Sequence, residues 1–366
     1  MKRVLVRPTF QDWCGNRLFT SGTSWQGRYR GAFFAWKEKA LALGIQIDTW
    51  DQAPLGSCDL LWLLDLPTSS KEFEQIRSRL RPDTPIVLQV FESPLIAPFG
   101  LIAANQKQVS GVVTYEFSGT SAAISKHFHY HLPVPIRWPD KNPPFSERKG
   151  LLMHYSNRVS GFWAIRQAGL AGLPFFGRML AGWECPLSLL TELSRGDLYG
   201  ERRAIAREAE RCVPGFLDIF GPGWNGEQIS WCPLYPNRSY SCRRANAKAS
   251  KHELSAEYRF VVAYENFRGS RGYISEKLFD ALQAGSVPVY LGEERIAEFV
   301  PREAFVDVRN FRTRRELLAY LQTCPEQEWR EMRQAGQNFL RSTAFQSFTD
   351  KVFAERMTNV LKNILV

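Results

Sequence analysis

The sequence lacks several features that would place it in a common class of protein. It has no run of roughly eighteen apolar residues that could span a membrane, no CxxC pair and no long basic tail of the kind that binds nucleic acid. Its seven cysteines follow no zinc-ligand spacing, and their irregular positions are typical of reduced thiols. Residues 1–10 carry charges but no apolar segment of a secretory signal. We therefore expect a cytoplasmic protein without a spanning helix or a structural zinc ion.

Carboxylate pairs with the spacing of a metal site are missing as well. Asp48, Asp65 and Asp218 stand singly in the sequence, and none of them belongs to a DxD pair. The sequence therefore predicts no metal site and no required cofactor.

The composition is typical of a folded protein with two domains. The chain has 366 residues, of which 44% are hydrophobic and 23% charged. A chain of this length is expected to divide into domains of roughly 150 to 200 residues. The formal net charge of +10 would attract nucleic acid, an anionic membrane surface or a phosphate-bearing substrate. The net charge alone does not decide which of these three partners the protein binds.

Short apolar runs recur along the chain and alternate with segments that can be helical. In the first half they occupy residues 3–6, 44–47, 59–64, 85–90 and 111–115. In the second half they occupy residues 149–153, 216–220, 258–264, 287–291 and 304–308. Nearly continuous apolar strands of this kind predict parallel sheets that are covered on both faces. The fold class is therefore α/β, of Rossmann type.

A segment rich in proline and charge, residues 132–148, separates the two series and is the candidate linker. We expect two Rossmann-like domains that face each other across a cleft, at residues 1–140 and 150–345. Residues 346–366 have the apolar spacing of an amphipathic helix. Packing of this helix on the protein is favoured by the mixed charges of its polar face, and peripheral contact with a membrane is the alternative.

The segment 258–292 is the most informative part of the sequence. It is predicted to form a strand, a polar loop with glycine, a helix that ends at Gly285, and a second strand. The spacing places Tyr273, Glu276 and Lys277 on one face of the first helical turn. A helix N-terminus at the strand ends can bind phosphate, and Lys277 adds a positive charge there. From spacing alone, an ordinary amphipathic helix with solvated charges is an equal alternative.

Three blocks of this segment, residues 264–266 (YEN), 272–278 (GYISEKL) and 284–292 (AGSVPVYLG), resemble a family signature. The signature is the donor-binding motif of the family-10 glycosyltransferases, the α-1,3-fucosyltransferase family. Residues 198–224 are similar to the family's arginine-containing helix and the strand-turn that follows it. Residues 91–94 (FESP) resemble the family's ESP element, whose glutamate is regarded as the catalytic base. One departure is the segment 162–196, which is longer than the corresponding gap in the family.

The resemblance implies a GT-B arrangement in which the first domain handles the acceptor and the second binds GDP-fucose. It implies an inverting fucosyltransferase that acts on a hydroxyl of a glycan in α-1,3 linkage, without nucleic acid as a partner. Glu92, at the carboxyl end of an apolar run, would be the catalytic base. The residues that the resemblance assigns to the donor are Arg202 or Arg203, Asn266, Tyr273, Glu276 and Lys277.

Two other functions stay open at this point. One is a transferase of the same architecture that uses another nucleotide sugar, and the other is a basic, non-enzymatic binder of polyanions. The sequence names neither the acceptor nor the oligomeric state, because acceptor contacts are expected from variable loops of the first domain.

Overall fold

The structure, a computed structural model, describes seven parts of the chain. They are residues 1–20, 29–116, 126–158, 192–193, 195–225, 250–269 and 272–365. The long segment predicted at 162–196 lies almost wholly outside these residues.

The first half of the chain forms a parallel sheet, with six strands in the described part. These strands are β1 (Lys2–Arg7), β2 (Ile45–Thr49), β3 (Leu60–Leu64), β4 (Ile86–Gln89), β5 (Gly111–Thr114) and β6 (Lys126–His129). Their order across the sheet is β2-β1-β3-β4-β5-β6. Every residue of the central strand β3 is buried, as expected for a sheet that is covered on both faces.

The second half forms another parallel sheet, with five strands in the described part and the order β11-β10-β9-β7-β8. These strands are β7 (Lys149–His154), β8 (Leu217–Phe220), β9 (Tyr258–Tyr264), β10 (Val287–Leu291) and β11 (Val306–Asp307). The last strand is shorter than the apolar run at 304–308 predicts, because a 3-10 turn at Arg302–Ala304 takes up the start of that run. The two sheets confirm the predicted α/β fold.

Helices pack on both sheets. The described helices are α1 (Arg30–Leu41), α2 (Ser70–Arg77), α3 (Ala103–Gln106), α4 (Tyr199–Cys212), α5 (Lys251–Ala256), α6 (Glu276–Gln283), α7 (Arg314–Thr323), α8 (Glu326–Leu340), α9 (Thr343–Gln346) and α10 (Asp350–Ile364). Among the residues that the structure describes, no helix is both long enough and apolar enough to cross a lipid bilayer.

The final helix α10 returns to the first domain and packs there. Its apolar face, which includes Phe353 and Met357, joins the core of the first sheet. The ring of Phe353 contacts that of Phe33 on α1, with the two centroids 5.1 Å apart. The apolar side of this amphipathic helix is therefore buried against the protein itself.

Within the described residues, the chain crosses between the domains at residues 132–134 and again after Phe348, and these two crossings run side by side. In the first crossing, Leu132 belongs to the core of the first sheet and Val134 to a core of the second domain. The Val134 N–H donates to the carbonyl of Phe348, which precedes α10, over 2.7 Å. These paired crossings bring the carboxyl ends of the two sheets to a shared cleft.

Candidate active site

The donor loop, residues 264–277, begins at the carboxyl end of β9. There Glu265 is completely buried. Its carboxylate accepts hydrogen bonds from the Ser275 N–H at 2.8 Å and from the Ser275 hydroxyl at 2.6 Å. Ser275 is also the N-cap of α6, since its oxygen accepts from the Lys277 N–H. One buried carboxylate therefore fixes the point at which α6 begins.

Lys277 lies in the first turn of α6 with 9% of its surface exposed. Its ammonium group is 2.9 Å from the Ser275 oxygen, 3.4 Å from Glu265 Oε2 and 3.8 Å from Glu276 Oε1. A lysine at a helix N-terminus would be repelled by the helix dipole, and the Glu265 charge offsets that repulsion. The result is a cation held in a fixed position in the first turn of a helix, where the helix dipole also favours an anion.

A second buried carboxylate, that of Glu293, holds the other side of the donor loop. It accepts hydrogen bonds from the Gly272 N–H at 2.5 Å and the Arg295 N–H at 2.9 Å. Gly272 has a φ of 107°, which an L side chain rarely adopts. The segment from Gly272 to Ser275 is therefore tied down at both of its ends.

Arg202, on α4, contacts the same loop from the neighbouring side of the sheet. Its Nη2 donates to the carbonyls of Tyr264 and Glu265, at 2.7 and 2.9 Å, and to Asn266 Oδ1 at 2.9 Å. Its guanidinium lies 4.2 Å from the centroid of the Tyr155 ring, in a cation–π contact. Arg202 and Asn266, both assigned to the donor by the resemblance, therefore meet.

Arg203 points elsewhere, although it is also buried. Its Nη1 donates to the Arg158 carbonyl over 2.5 Å. Successive residues of a helix face different directions, so the two arginines cannot share one set of contacts. Arg202 bonds to the donor loop, and Arg203 bonds to the main chain of Arg158.

Glu92 lies on the opposite wall of the cleft, three residues after the end of β4. Its N–H donates to the carboxylate of Asp65, and its carbonyl accepts from the Tyr115 hydroxyl at 3.0 Å. Burial, with the charge of Asp65 as the second cause, raises the pKa of Glu92 to about 7, while the charges of Lys277 and Arg158 oppose the rise. A carboxyl with a pKa near the working pH is suited to general base catalysis.

Two contacts join the walls of the cleft. The Tyr29 hydroxyl, from the first domain, donates to Glu276 Oε2 over 2.8 Å. The ring of Tyr273 packs edge-on against that of Tyr115, with the centroids 5.2 Å apart. Together with the charge of Lys277 acting on Glu92, these contacts show that the donor loop faces the Glu92 segment directly.

The structure corrects one placement that spacing predicts. Tyr273 does not lie in the first turn of the helix, because the Ser275 cap starts α6 at Glu276. Tyr273 instead precedes the cap and is buried in the core of the first domain. The same cap leaves Glu276 and Lys277 in the first turn, as predicted.

Sequence reasoning missed the residues that hold the site in place: Asp65, Glu265, Glu293 and Tyr29. Glu265 and Glu293 stand within or next to the family blocks, so the blocks themselves carried a signal. Asp65 is a lone aspartate after an apolar run, and only its position at a strand end hinted at a role. Among the described residues, no group of three or more His, Cys, Asp or Glu side chains could hold a metal ion.

The paired sheets and their facing strand ends define the GT-B fold of glycosyltransferases. A solved α1,3-fucosyltransferase in complex with GDP-fucose has this fold, with a TM-score of 0.50 and 15% sequence identity over 100% of this chain and 90% of that one. At this identity the likeness concerns the fold alone. It confirms the predicted architecture.

Comparison of sequences agrees with the resemblance. Residues 217–334 match the family described as glycosyltransferase family 10 (fucosyltransferase), C-terminal part. An α-(1,4)-fucosyltransferase of Arabidopsis thaliana is 41% identical over 70 residues, 19% of this chain and 17% of its own. Human α-(1,3)-fucosyltransferase 7 is 39% identical over 127 residues, 34% of this chain and 32% of its own. The matched segments thus span a third or less of these relatives.

Proposed function

We propose that this protein transfers fucose from GDP-fucose to a hydroxyl group of a glycan acceptor, in α-1,3 linkage. The observation that carries the proposal is the position of Lys277. This cation lies in the family-matched segment, held at a helix start by Glu265, and its charge acts on Glu92 across the cleft. Transfer from a nucleotide sugar requires a cation that binds the diphosphate and, facing it, a group that accepts a proton.

The reaction that fits these groups is a single displacement. The acceptor hydroxyl oxygen forms a bond to the anomeric carbon of fucose as its proton passes to the Glu92 carboxylate. The bond from that carbon to the phosphate oxygen breaks, and its electron pair leaves with GDP. Attack from the side opposite the leaving group inverts the configuration of the carbon.

Positive charge is needed where GDP departs, and the protein's own cations supply it in this proposal. Lys277 is one of them. Arg202 is our candidate for the second, because its guanidinium is bonded to the donor loop and its buried Nε meets no acceptor among the described residues. A fixed charge of this kind is worth roughly 10²-fold or more in rate, since it stabilises charge that develops only in the transition state.

Glu276 is suited to the sugar part of the nucleotide. Its carboxylate accepts a hydrogen bond from the Tyr29 hydroxyl, and ribose hydroxyls are donors of the same chemical kind. Asn266 holds the loop through Arg202, and Tyr273 lines the contact between the domains. The assignment of these residues to the donor stays a prediction.

A thermal-shift experiment tests the donor. GDP and GDP-fucose should raise the melting temperature, since a ligand at a hundred times its Kd stabilises a protein by about 2.7 kcal/mol. UDP-glucose at the same concentration should have little effect. Lys277→Ala should lose the response to GDP, while Lys149→Ala, which breaks an exposed ion pair with Glu257, should keep it. Equal stabilisation by UDP-glucose and GDP-fucose would contradict the proposed donor.

A further inference from the structure

Asp65 occupies an unusual position for an aspartate. It follows β3 directly, is only 1% exposed and has a φ of 60°. This left-handed backbone conformation is uncommon for residues other than glycine, and asparagine and aspartate are among the few that adopt it. A buried carboxylate in that conformation is held by its surroundings, and a function that requires it there is a reasonable hypothesis.

The surroundings of Asp65 are the main chain of the Glu92 segment. Asp65 Oδ1 accepts the Phe91 N–H at 2.8 Å, and both of its oxygens lie 3.2 Å from the Glu92 N–H. The Thr9 hydroxyl lies 2.8 Å from Oδ2. Asp65 therefore accepts the main-chain hydrogen bonds of the two residues that carry Glu92 into the cleft.

These N–H groups have left the sheet. The Val90 N–H still donates to the Val113 carbonyl of β5, over 2.8 Å, but the next two residues turn away from that ladder. A buried N–H without an acceptor is costly, so the Asp65 carboxylate replaces the missing strand. It thereby determines the direction in which the chain delivers the Glu92 side chain.

We propose that Asp65 is a positioning residue for Glu92, which fixes the Glu92 main chain and sets a second carboxylate charge beside the proposed base. The inference rests on the proposed function, because it takes Glu92 as the base. Asp65 touches neither substrate nor product in this role. It acts only through Glu92.

The charges around the pair agree with this role. Burial raises the pKa of Asp65 to about 6, opposed by the N–H groups of Phe91 and Glu92, the Thr9 hydroxyl and the charge of Arg7. Electrostatic interactions join Glu92 or Asp65 to Arg7, Tyr130, Arg158, Tyr273 and Lys277. The Tyr115 hydroxyl donates to the Glu92 carbonyl, and the Tyr29 ring packs on Phe91. An ionised Asp65 disfavours a second negative charge nearby, so it keeps Glu92 basic enough to accept a proton near neutral pH.

Asp65→Asn tests the proposal. Asparagine tolerates the left-handed conformation and keeps one acceptor oxygen, but it removes the charge. We expect kcat to fall roughly 10-fold to 100-fold, because a reacting group displaced by about 1 Å can lose that much. The acid limb of the kcat–pH profile should move to lower pH, because loss of the Asp65 charge lowers the pKa of Glu92. GDP affinity, measured by calorimetry, should not change.

Asp59→Asn is the matched control. Asp59 stands just before the same strand, at its other end, and its carboxylate accepts the Arg3 N–H over 2.8 Å. A merely structural loss should affect both variants alike and should leave the pH profile in place. If Asp65→Asn does not fold, Asp65→Gly is the second variant, since glycine adopts a φ of 60° freely and also removes the charge.

The outcomes separate this inference from the proposed function. A wild-type protein that neither binds GDP nor transfers fucose would overturn both. An inactive Glu92→Gln protein beside an Asp65→Asn protein with normal kcat and an unmoved acid limb would overturn the Asp65 role alone. A fall in kcat without a shift of the acid limb, in both Asp65 variants, would also overturn it.

Discussion

Each of the two sheets has a buried carboxylate at the end of a strand, and the two carboxylates have opposite electrostatic effects on their neighbours. Asp65 follows β3 and Glu265 follows β9, and the two are 1% and 0% exposed. Each accepts a main-chain N–H from the segment that carries a functional charge: Glu92 in the first domain and Ser275, two residues before Lys277, in the second. In the first domain the buried carboxylate organises the segment that follows the neighbouring strand, and in the second domain it organises its own loop.

The difference lies in the second charge. Burial raises the pKa of Glu92 to about 7, and the charge of the neighbouring Asp65 is the second cause of that rise. Glu265 stands 3.4 Å from an ammonium group, so the two charges stabilise each other in a site that excludes water. The comparison shows how one arrangement yields a carboxyl group with a raised pKa and the other a cation held in a fixed position.

The largest effect is expected from Glu92→Gln. Glutamine keeps the shape of the side chain but cannot accept the acceptor's proton at neutral pH. We expect kcat to fall roughly 10²- to 10⁴-fold, which is the usual contribution of a general base. GDP affinity should stay unchanged, because Glu92 lies on the wall opposite the donor loop. Steady-state rates and calorimetric titration with GDP check the two parts of this prediction.

The control for this variant is Glu74→Gln, which removes an exposed carboxylate on α2 of the same domain. It should leave kcat and GDP affinity as they are. A Glu92→Gln protein with near-normal kcat would refute the base assignment, and Glu116, a nearby carboxylate of the first domain, would be the next candidate to test.

The features that the sequence predicted depend on local signals. Buried parallel strands appear as apolar runs, and β3 and β9 fall within one residue of their predicted bounds. The donor loop was recognised because its functional residues lie close together in the chain, from Asn266 to Lys277. Glu92 is assigned because residues 91–94 resemble the family's ESP element and stand at the end of an apolar run, and both signals are local.

The features that the sequence missed depend on long-range contacts. Asp65 is 27 residues from Glu92 in the chain, and the hydrogen bond between them exists only once β3 and β4 pair. Strand β6 was missed because its sequence, KHFH, is polar and exposed in part, as an edge strand can be. The predicted position of Tyr273 is wrong because Glu265, through its hydrogen bonds to Ser275, determines where α6 begins. The periodicity of apolar residues carries no information about this contact.

A smaller effect is expected from Lys277→Ala. The change removes the cation that we assign to the diphosphate, so GDP should bind more weakly, and kcat/KM should fall on the order of 10²-fold. It also leaves Glu265 buried without its partner, and breaking such a pair costs about 3–5 kcal/mol of stability. Calorimetry with GDP and thermal unfolding measure the two consequences separately.

The double variant Glu265→Gln/Lys277→Met sharpens this comparison, because it removes both charges of the buried pair together. It should recover much of the lost stability, since no unpaired charge remains buried. It should not recover GDP affinity, because the cation is still absent. Recovery of GDP affinity in the double variant would show that Lys277 serves only the fold.

The smallest effect is expected on the stability of the Glu92→Gln protein, and here the substitution should stabilise the fold, whereas Lys277→Ala should destabilise it. The pKa of Glu92 is raised from an ordinary 4.5 to about 7 in the folded protein. Its contribution to stability is thus fully present below about pH 4.5 and is lost as the pH rises through about 7. Glu92→Gln stays neutral and escapes that loss. At pH 8 the melting temperature of the variant should exceed that of the wild type by a few degrees. At pH 5 the two melting temperatures should be about equal.

Thermal unfolding of the wild type, Glu92→Gln and Glu74→Gln at the two pH values measures this difference. The Glu74 variant should track the wild type at both, because an exposed carboxylate gains little from neutralisation. The prediction would be refuted if Glu92→Gln were less stable than the wild type at pH 8, or if its gain in melting temperature were the same at pH 5. Either result would mean that ionised Glu92 does not destabilise the folded protein. Ionised Glu92 should therefore destabilise the first domain, whereas Lys277, paired with Glu265, should stabilise the second. This difference follows from the different partners of the two strand-end carboxylates, Asp65 and Glu265.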